Sequence, residues 1–299
     1  MFTTFRLALA ALALTALAPA MNAQSNETKL ANMSIECASG YPQSCTALGY
    51  AFNKGDMGEL NYEKARAAFT KACNASEVTG CYELGVMQHK SRGGSQDLAG
   101  ARASYQTSCD QGFASACGNL GVLYKNGQGG AVNMPKAVAL YTQACNGGEH
   151  LSCHNLALMQ VLGKVIQLDQ PSARANFAAG CTGRYGESCY MLALMQSNAE
   201  GGPTALPEAR TNFKTACELN HRESCIFAWG QFYMGENGDI DHTAARALAN
   251  KGCDLMDGMA CGMFGYMQAQ GEGGPIDAEG SVTTYATACS LGFKDACEA

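Results

Sequence analysis

The sequence is poor in charge: Asp, Glu, Lys and Arg make up 15% of its 299 residues, and the balance is acidic, at a formal −6. No basic block breaks that balance, which argues against nucleic acid and against anionic lipid surfaces as partners. Long apolar runs are missing too. The run over residues 7–17 is too short to span a bilayer, and no later segment approaches twenty uninterrupted apolar residues, so membrane insertion is not expected. Histidines number five, and the one close pair, His150 and His154, has helical i,i+4 spacing. A metal site resting on two imidazoles would need a third ligand from elsewhere, so two ordinary helix residues are expected, with no metal and no cofactor. Cys-x₂₋₄-Cys, the spacing favoured by zinc, does not occur.

Cysteine and glycine are plentiful, at 16 and 35. Residues 1–23 read as a secretory leader, with one cation (Arg6), an apolar stretch and small residues before cleavage after Ala20 or Ala23. Export to the periplasm or beyond the cell is expected, and with it an oxidising compartment. The cysteines stand at Cys37, Cys45, Cys73, Cys81, Cys109, Cys117, Cys145, Cys153, Cys181, Cys189, Cys217, Cys225, Cys253, Cys261, Cys289 and Cys297, with spacings that alternate 8 and 28 without exception. A 36-residue period sustained in this way marks a repeat architecture. Sixteen cysteines allow roughly two million connectivities, but the ends of the array choose among the regular ones. Pairing across 28 residues would orphan Cys37 and Cys297, whereas pairing across 8 uses all sixteen, so eight Cys-x₇-Cys disulfides are expected.

The third unit shows what each repeat builds. Ser115-Ala116-Cys117 opens an amphipathic helix A with Leu120, Leu123 and Tyr124 on one face, closed at Asn126-Gly127. After a Gly-rich turn, Asn133 caps helix B, whose buried stripe is Ala137, Leu140, Tyr141 and Ala144. Across the repeats the cap column reads Asn61, Asp97, Asn133, Asp169, Ala205, Asp241, Asp277, and the aromatic column of helix B reads Phe69, Tyr105, Tyr141, Phe177, Phe213, Ala249, Tyr285. The expected fold is all-α: a right-handed α-solenoid of 36-residue αα-hairpins, each clamp tying the end of one helix B to the start of the next helix A. The organisation that follows is a leader (1–23), a partial capping helix (24–36), seven repeats (37–288) and a C-terminal cap with the last disulfide (289–299).

Leu-Gly-x-x-Tyr-x-x-Gly over residues 120–127, followed by Lys-Ala-x-x-x-Tyr over 136–141, resembles the Sel-like repeat, a relative of the tetratricopeptide repeat. With the added Cys-x₇-Cys in a secreted unit, the chain resembles the Helicobacter cysteine-rich protein family over residues 25–299. The resemblance implies a secreted, disulfide-stapled solenoid that binds proteins, and it also implies weak β-lactamase or penicillin-binding activity. The residues offer that second reading little. No lysine has a serine three positions before it, Ser-Asp-Asn and Lys-Thr-Gly are absent, and Thr211 with Lys214 is the nearest case. Catalytic residues are therefore not assigned.

Two ladders remain as candidates. Met87, Met159, Met195 and Met267 share a column of helix A, each followed by a glutamine (Gln88, Gln160, Gln196, Gln268) in place of the helix A tyrosine. Adaptable methionines suit a peptide-binding groove, although filling the gap between the helices is the more natural use. Arg66, Arg102, Arg174, Arg210 and Arg246 share a column of helix B, where solvated arginines paired with carboxylates are the default expectation. The expected function is a monomeric binding scaffold for a protein or peptide ligand, with a peptidoglycan fragment or a β-lactam as further candidates.

Overall fold

The computed structural model describes residues 26–58, 60–163 and 167–298. The expected leader over 1–23 lies outside the described residues. Regular structure among them is helical throughout, with no strand. The chain divides into two compact units, one ending at Gly147 and the other beginning at Gly148.

The first unit holds α1 (26–38) and three helix pairs: α2 (Pro42–Lys54) with α3 (Tyr62–Asn74), α4 (Val78–His89) with α5 (Leu98–Asp110), and α6 (Ala114–Asn126) with α7 (Met134–Asn146). Leu30 and Met33 of α1 pack on a core of Cys37, Cys45, Leu48, Ala68 and Ala72. The second unit holds four pairs: α8 (His150–Leu162) with α9 (Gln170–Thr182), α10 (Gly186–Ser197) with α11 (Leu206–Glu218), α12 (Arg222–Met234) with α13 (His242–Asp254), and α14 (Gly258–Gln270) with α15 (Ala278–Ser290). A 3₁₀ turn, Lys294–Cys297, follows.

Local chemistry sets these lengths. Asn61, Asp97, Asn133, Asp169, Asp241 and Asp277 each accept a backbone N–H three residues on, satisfying a donor that the helix leaves unpaired, and Ala205 alone in that column makes no such bond. At the other end of helix A, Gly127 closes α6 in the left-handed region at φ 67°. Seven disulfides join cysteines eight residues apart with Cα–Cα distances of 4.3–4.9 Å, Cys145 and Cys153 are disulfide-bonded as well, and no cysteine is free. A chain oxidised at every cysteine belongs in an oxidising environment. In the loop-entropy account each nine-residue loop contributes roughly 2.5 kcal/mol.

Candidate functional site

The methionine and glutamine ladder does not line an open groove, and that expectation is corrected here. Met87, Met159, Met195 and Met267 are all buried, as are Gln160, Gln196 and Gln268, while Gln88 is half-buried. A buried amide needs a partner, and helix B supplies one sixteen residues on. Gln88 Oε1 accepts from Ser104 Oγ, Gln160 Oε1 from Asn176 Nδ2, Gln196 Oε1 from Asn212 Nδ2 and Gln268 Oε1 from Thr284 Oγ1, at 2.7–2.8 Å. In the repeats with an aromatic ring there, the same two positions are Phe52 with Ala68, Tyr124 with Leu140 and Phe232 with Leu248, packed as hydrophobic contacts. The glutamines are thus half of an interior polar pair.

The arginine column is corrected as well. These side chains turn away from carboxylates and donate to backbone carbonyls of the following A–B turn. Arg66 reaches Ser95, Arg174 reaches Glu200 and Pro203, Arg210 reaches Glu236 and Asp239, and Arg246 reaches Met267, Glu272 and Pro275. Arg102 serves four carbonyls, those of Leu123, Gln128, Gly130 and Ala131, at 2.6–3.1 Å. The guanidinium fork suits this task because the last carbonyls of a helix have no intrahelical partner. The turn glycines make the room: a Cβ on Gly130 would sit 2.8 Å from Arg102 Nη1, and one on Gly129, at φ 75°, would meet the Leu98 carbonyl.

His150 and His154 are separated by their packing. The His150 ring lies over Gly183, where a Cβ would collide with it, whereas His154 is buried between Phe177 and Tyr185 with Nδ1 2.9 Å from Ser188 Oγ. No group of three potential metal ligands occurs among the described residues. One arrangement has the composition of a catalytic triad: His221 Nδ1 lies 2.8 Å from Ser224 Oγ and its Nε2 3.0 Å from Glu187 Oε2. Ser224, however, is 0% exposed, in the small-residue column beside Cys225. His221 is the N-cap residue of α12, without a side-chain bond to the helix backbone, and Ser224 is the third residue of that helix, buried so that its hydroxyl leaves no approach for a substrate.

A neighbouring column of helix A is partly open to solvent. In the first unit its members are Ala47, Glu83 and Asn119, and Glu83 accepts the Tyr50 hydroxyl at 2.8 Å. Burial and then that carboxylate raise the Tyr50 pKa above its ordinary value. In the second unit the column reads Asn155, Met191, Phe227 and Met263, with Phe227 48% exposed. Beside it runs a register of contacts 31 residues apart: Thr46 donates to Glu77, Tyr82 packs on Phe113, and Tyr190 stacks on His221. Near the end of the second unit a cavity of about 380 Å³ opens among Trp229, Tyr233, Met263, Tyr266, Tyr285, Phe293 and Asp295. A signal for part of this cavity exists in the sequence: the Tyr233 and Met263 columns vary from repeat to repeat, and the sixth repeat reads Phe227-Ala228-Trp229-Gly230, with tryptophan where the others carry glycine or alanine, whereas Tyr285 belongs to the recurring aromatic column.

The Sel1 repeat model matches residues 42–76, 78–113, 114–149 and 186–221. A protective antigen of uropathogenic Escherichia coli displaying an SLR fold superposes with a TM-score of 0.81 at 21% identity, over 89% of this chain and 57% of its own. The chain therefore spans little more than half the length of that protein. A Sel1 repeat protein from Oxalobacter formigenes gives 0.61 at 23% identity, over 72% of this chain and 86% of its own. Cysteine-rich protein B of Helicobacter pylori is 26% identical over 46% of this chain and 98% of its own, with a TM-score of 0.34. No curated protein sequence matches significantly. The first two likenesses bear on the fold, an α-solenoid, and the repeat matches agree with it. Among the described residues no helix is long and apolar enough to cross a membrane.

Proposed function

We propose that this chain, built of Sel1 repeats, is an exported scaffold that binds a protein or peptide partner through the solvent-facing column of helix A. The observation that carries this reading is a contrast between columns. Those that hold the fold repeat closely: the clamps throughout, the helix B caps in six repeats of seven, and the arginines with their turns in five. This partly exposed column changes from repeat to repeat, from Glu83 and Asn119 to Met191, Phe227 and Met263, of which Phe227 is exposed and the others half-buried. Within the second unit the column brings Met191, Phe227 and Met263 to successive A helices, apolar side chains suited to an apolar segment of a partner. The leader over 1–23 and the uniform disulfides support export, and the Cys-x₇-Cys unit supports kinship with the Helicobacter cysteine-rich group.

The test is selection from a displayed peptide library on purified protein, followed by titration of the selected peptide. Met191→Ala and Phe227→Ala should weaken it by about tenfold or more, as central apolar contacts do, while Val282→Ala, an exposed residue of helix B, should leave it unchanged. Failure to enrich any peptide, or equal losses in all three variants, would sink the proposal. Turnover of nitrocefin near ~10 s⁻¹, the median for enzymes, with an acylated serine, would replace it with the hydrolase that the family resemblance also implies.

A further inference from the structure

We propose that the cavity at the end of the second unit is a binding site for a small alkylated ammonium ion. Its walls are Trp229 and Tyr233 of α12, Met263 and Tyr266 of α14, Tyr285 of α15, and Phe293 with Asp295 beyond it. Five aromatic rings and a carboxylate surround about 380 Å³, and no lysine or arginine lines it. Ring faces carry negative charge density, so a cation gains most from such a wall when little hydration is lost, as for quaternary ammonium. The polar edges of three of the rings, Trp229, Tyr233 and Tyr266, are committed. The Tyr233 hydroxyl is raised in pKa by burial and then by hydrogen bonds to Glu272 and Tyr266, and Trp229 Nε1 points at Met267 Sδ at 3.3 Å. A sugar or other ligand that requires many hydrogen bonds finds few here, whereas methyl groups around a positive charge require none. Negative charge is available in addition to the rings: Asp295 lines the cavity, and Glu272, bound to Tyr233, holds its Oε2 buried with no hydrogen-bond partner.

Two features of the last repeats shape this space. The column that carries Tyr82, His154 and Tyr190 carries glycine twice, at Gly118 and Gly262, and Phe293 lies against the backbone of Gly262, 2.5 Å from where a Cβ would stand. In the sixth repeat the large ring has moved from helix B to helix A. Ala249 stands in the aromatic column and Trp229 in the column of Gly49, Gly85 and Gly121, which places an indole at the cavity wall. Trp229 stacks on Tyr233, 4.9 Å between centroids, and Tyr233 stacks in turn on His242 at 5.0 Å, so the wall is held by a three-ring stack. None of this depends on a protein partner for the rest of helix A.

Trp229 is the single tryptophan of the chain and reports on the site directly. Purified full-length protein would be titrated with tetramethylammonium and with choline, following Trp229 emission and, in parallel, broadening of the ammonium methyl resonance. Saturable changes in both signals are expected, with the neutral isostere 3,3-dimethylbutan-1-ol at least ~10-fold weaker because it lacks the charge. Tyr266→Ala and Asp295→Asn alter exposed side chains, so circular dichroism should be unchanged while each weakens choline about 5- to 10-fold. Absence of saturation by either cation up to about 100 mM, or equal affinity for the neutral isostere, would overturn the assignment.

Discussion

In the unit of α1–α7 every helix pair sets an aromatic ring of helix B over a glycine of helix A. A Cβ on Gly49, Gly85 or Gly121 would lie 2.5–2.8 Å from the rings of Phe69, Tyr105 or Tyr141. The unit of α8–α15 varies the same pair: Ala157 with Phe177, Ala193 with Phe213, Trp229 with Ala249, and Gly265 with Tyr285, where a Cβ would lie at 3.2 Å. The total volume across the two helices is roughly kept while its distribution changes. A close-packed interior tolerates such exchanges better than one-sided gains or losses. In the variable unit one ring has moved to helix A, where Trp229 forms part of a cavity wall. The clamps are kept throughout, and the one helix B without a side-chain cap, at Ala205, lies in this same unit.

The sharpest way to break that comparison is to rebuild the sixth repeat in the image of the first three. Trp229→Gly alone should cost about 3–5 kcal/mol, as large-to-small core changes do, and Ala249→Phe alone about 1–3 kcal/mol through overpacking. The double variant should recover most of the loss, a non-additivity expected of residues that share one space. Urea melts followed by circular dichroism measure it, and strict additivity would show that the two positions do not exchange volume.

A smaller effect separates the arginines. Arg102→Met retains the apolar stem but leaves four turn carbonyls unserved, at an expected cost of about 2–3 kcal/mol, against about 1 kcal/mol for Arg66→Met, which leaves one. The same melts check this, and equal losses would mean that the stem, not the carbonyls, carries the contribution. The sequence pairs the two halves of this device: where the arginine column carries Val138, the glycine position twenty-eight residues on carries Ile166.

The smallest effects concern the caps, complete in the first unit and broken once in the second. Asn133→Ala should cost about 1 kcal/mol and Ala205→Asp should return a similar amount at neutral pH. Asp169 accepts the Ser172 hydroxyl and its backbone N–H, which hold its carboxyl below the ordinary 3.8. A depressed folded-state pKa means that the contribution is fully present above 3.8 and disappears as pH falls from there through the folded value. Asp169→Asn should therefore flatten the acid limb of a stability–pH profile below that pH and leave the neutral limb little changed. A parallel displacement of the whole curve would contradict the cap assignment.

What the amino-acid order determined by itself is everything that closes within a few residues. Clamps eight apart, caps three apart, the left-handed glycine after helix A and the 36-residue period are local relations, and the all-α repeat fold follows from them. What only the tertiary structure decided is which way each column faces. A groove at Met87 and Gln88 stayed open beside the more natural interior reading, because helical spacing states which residues share a face and not what covers it. The cover is Ser104, sixteen residues away on another helix. The arginines looked solvated because their partners are backbone carbonyls, which every residue possesses and no composition singles out. The cavity joins residues from Trp229 to Asp295, and one of its walls, Phe293, is seated where Gly262 has no side chain, a fact that acquires meaning only when the repeats are packed against one another.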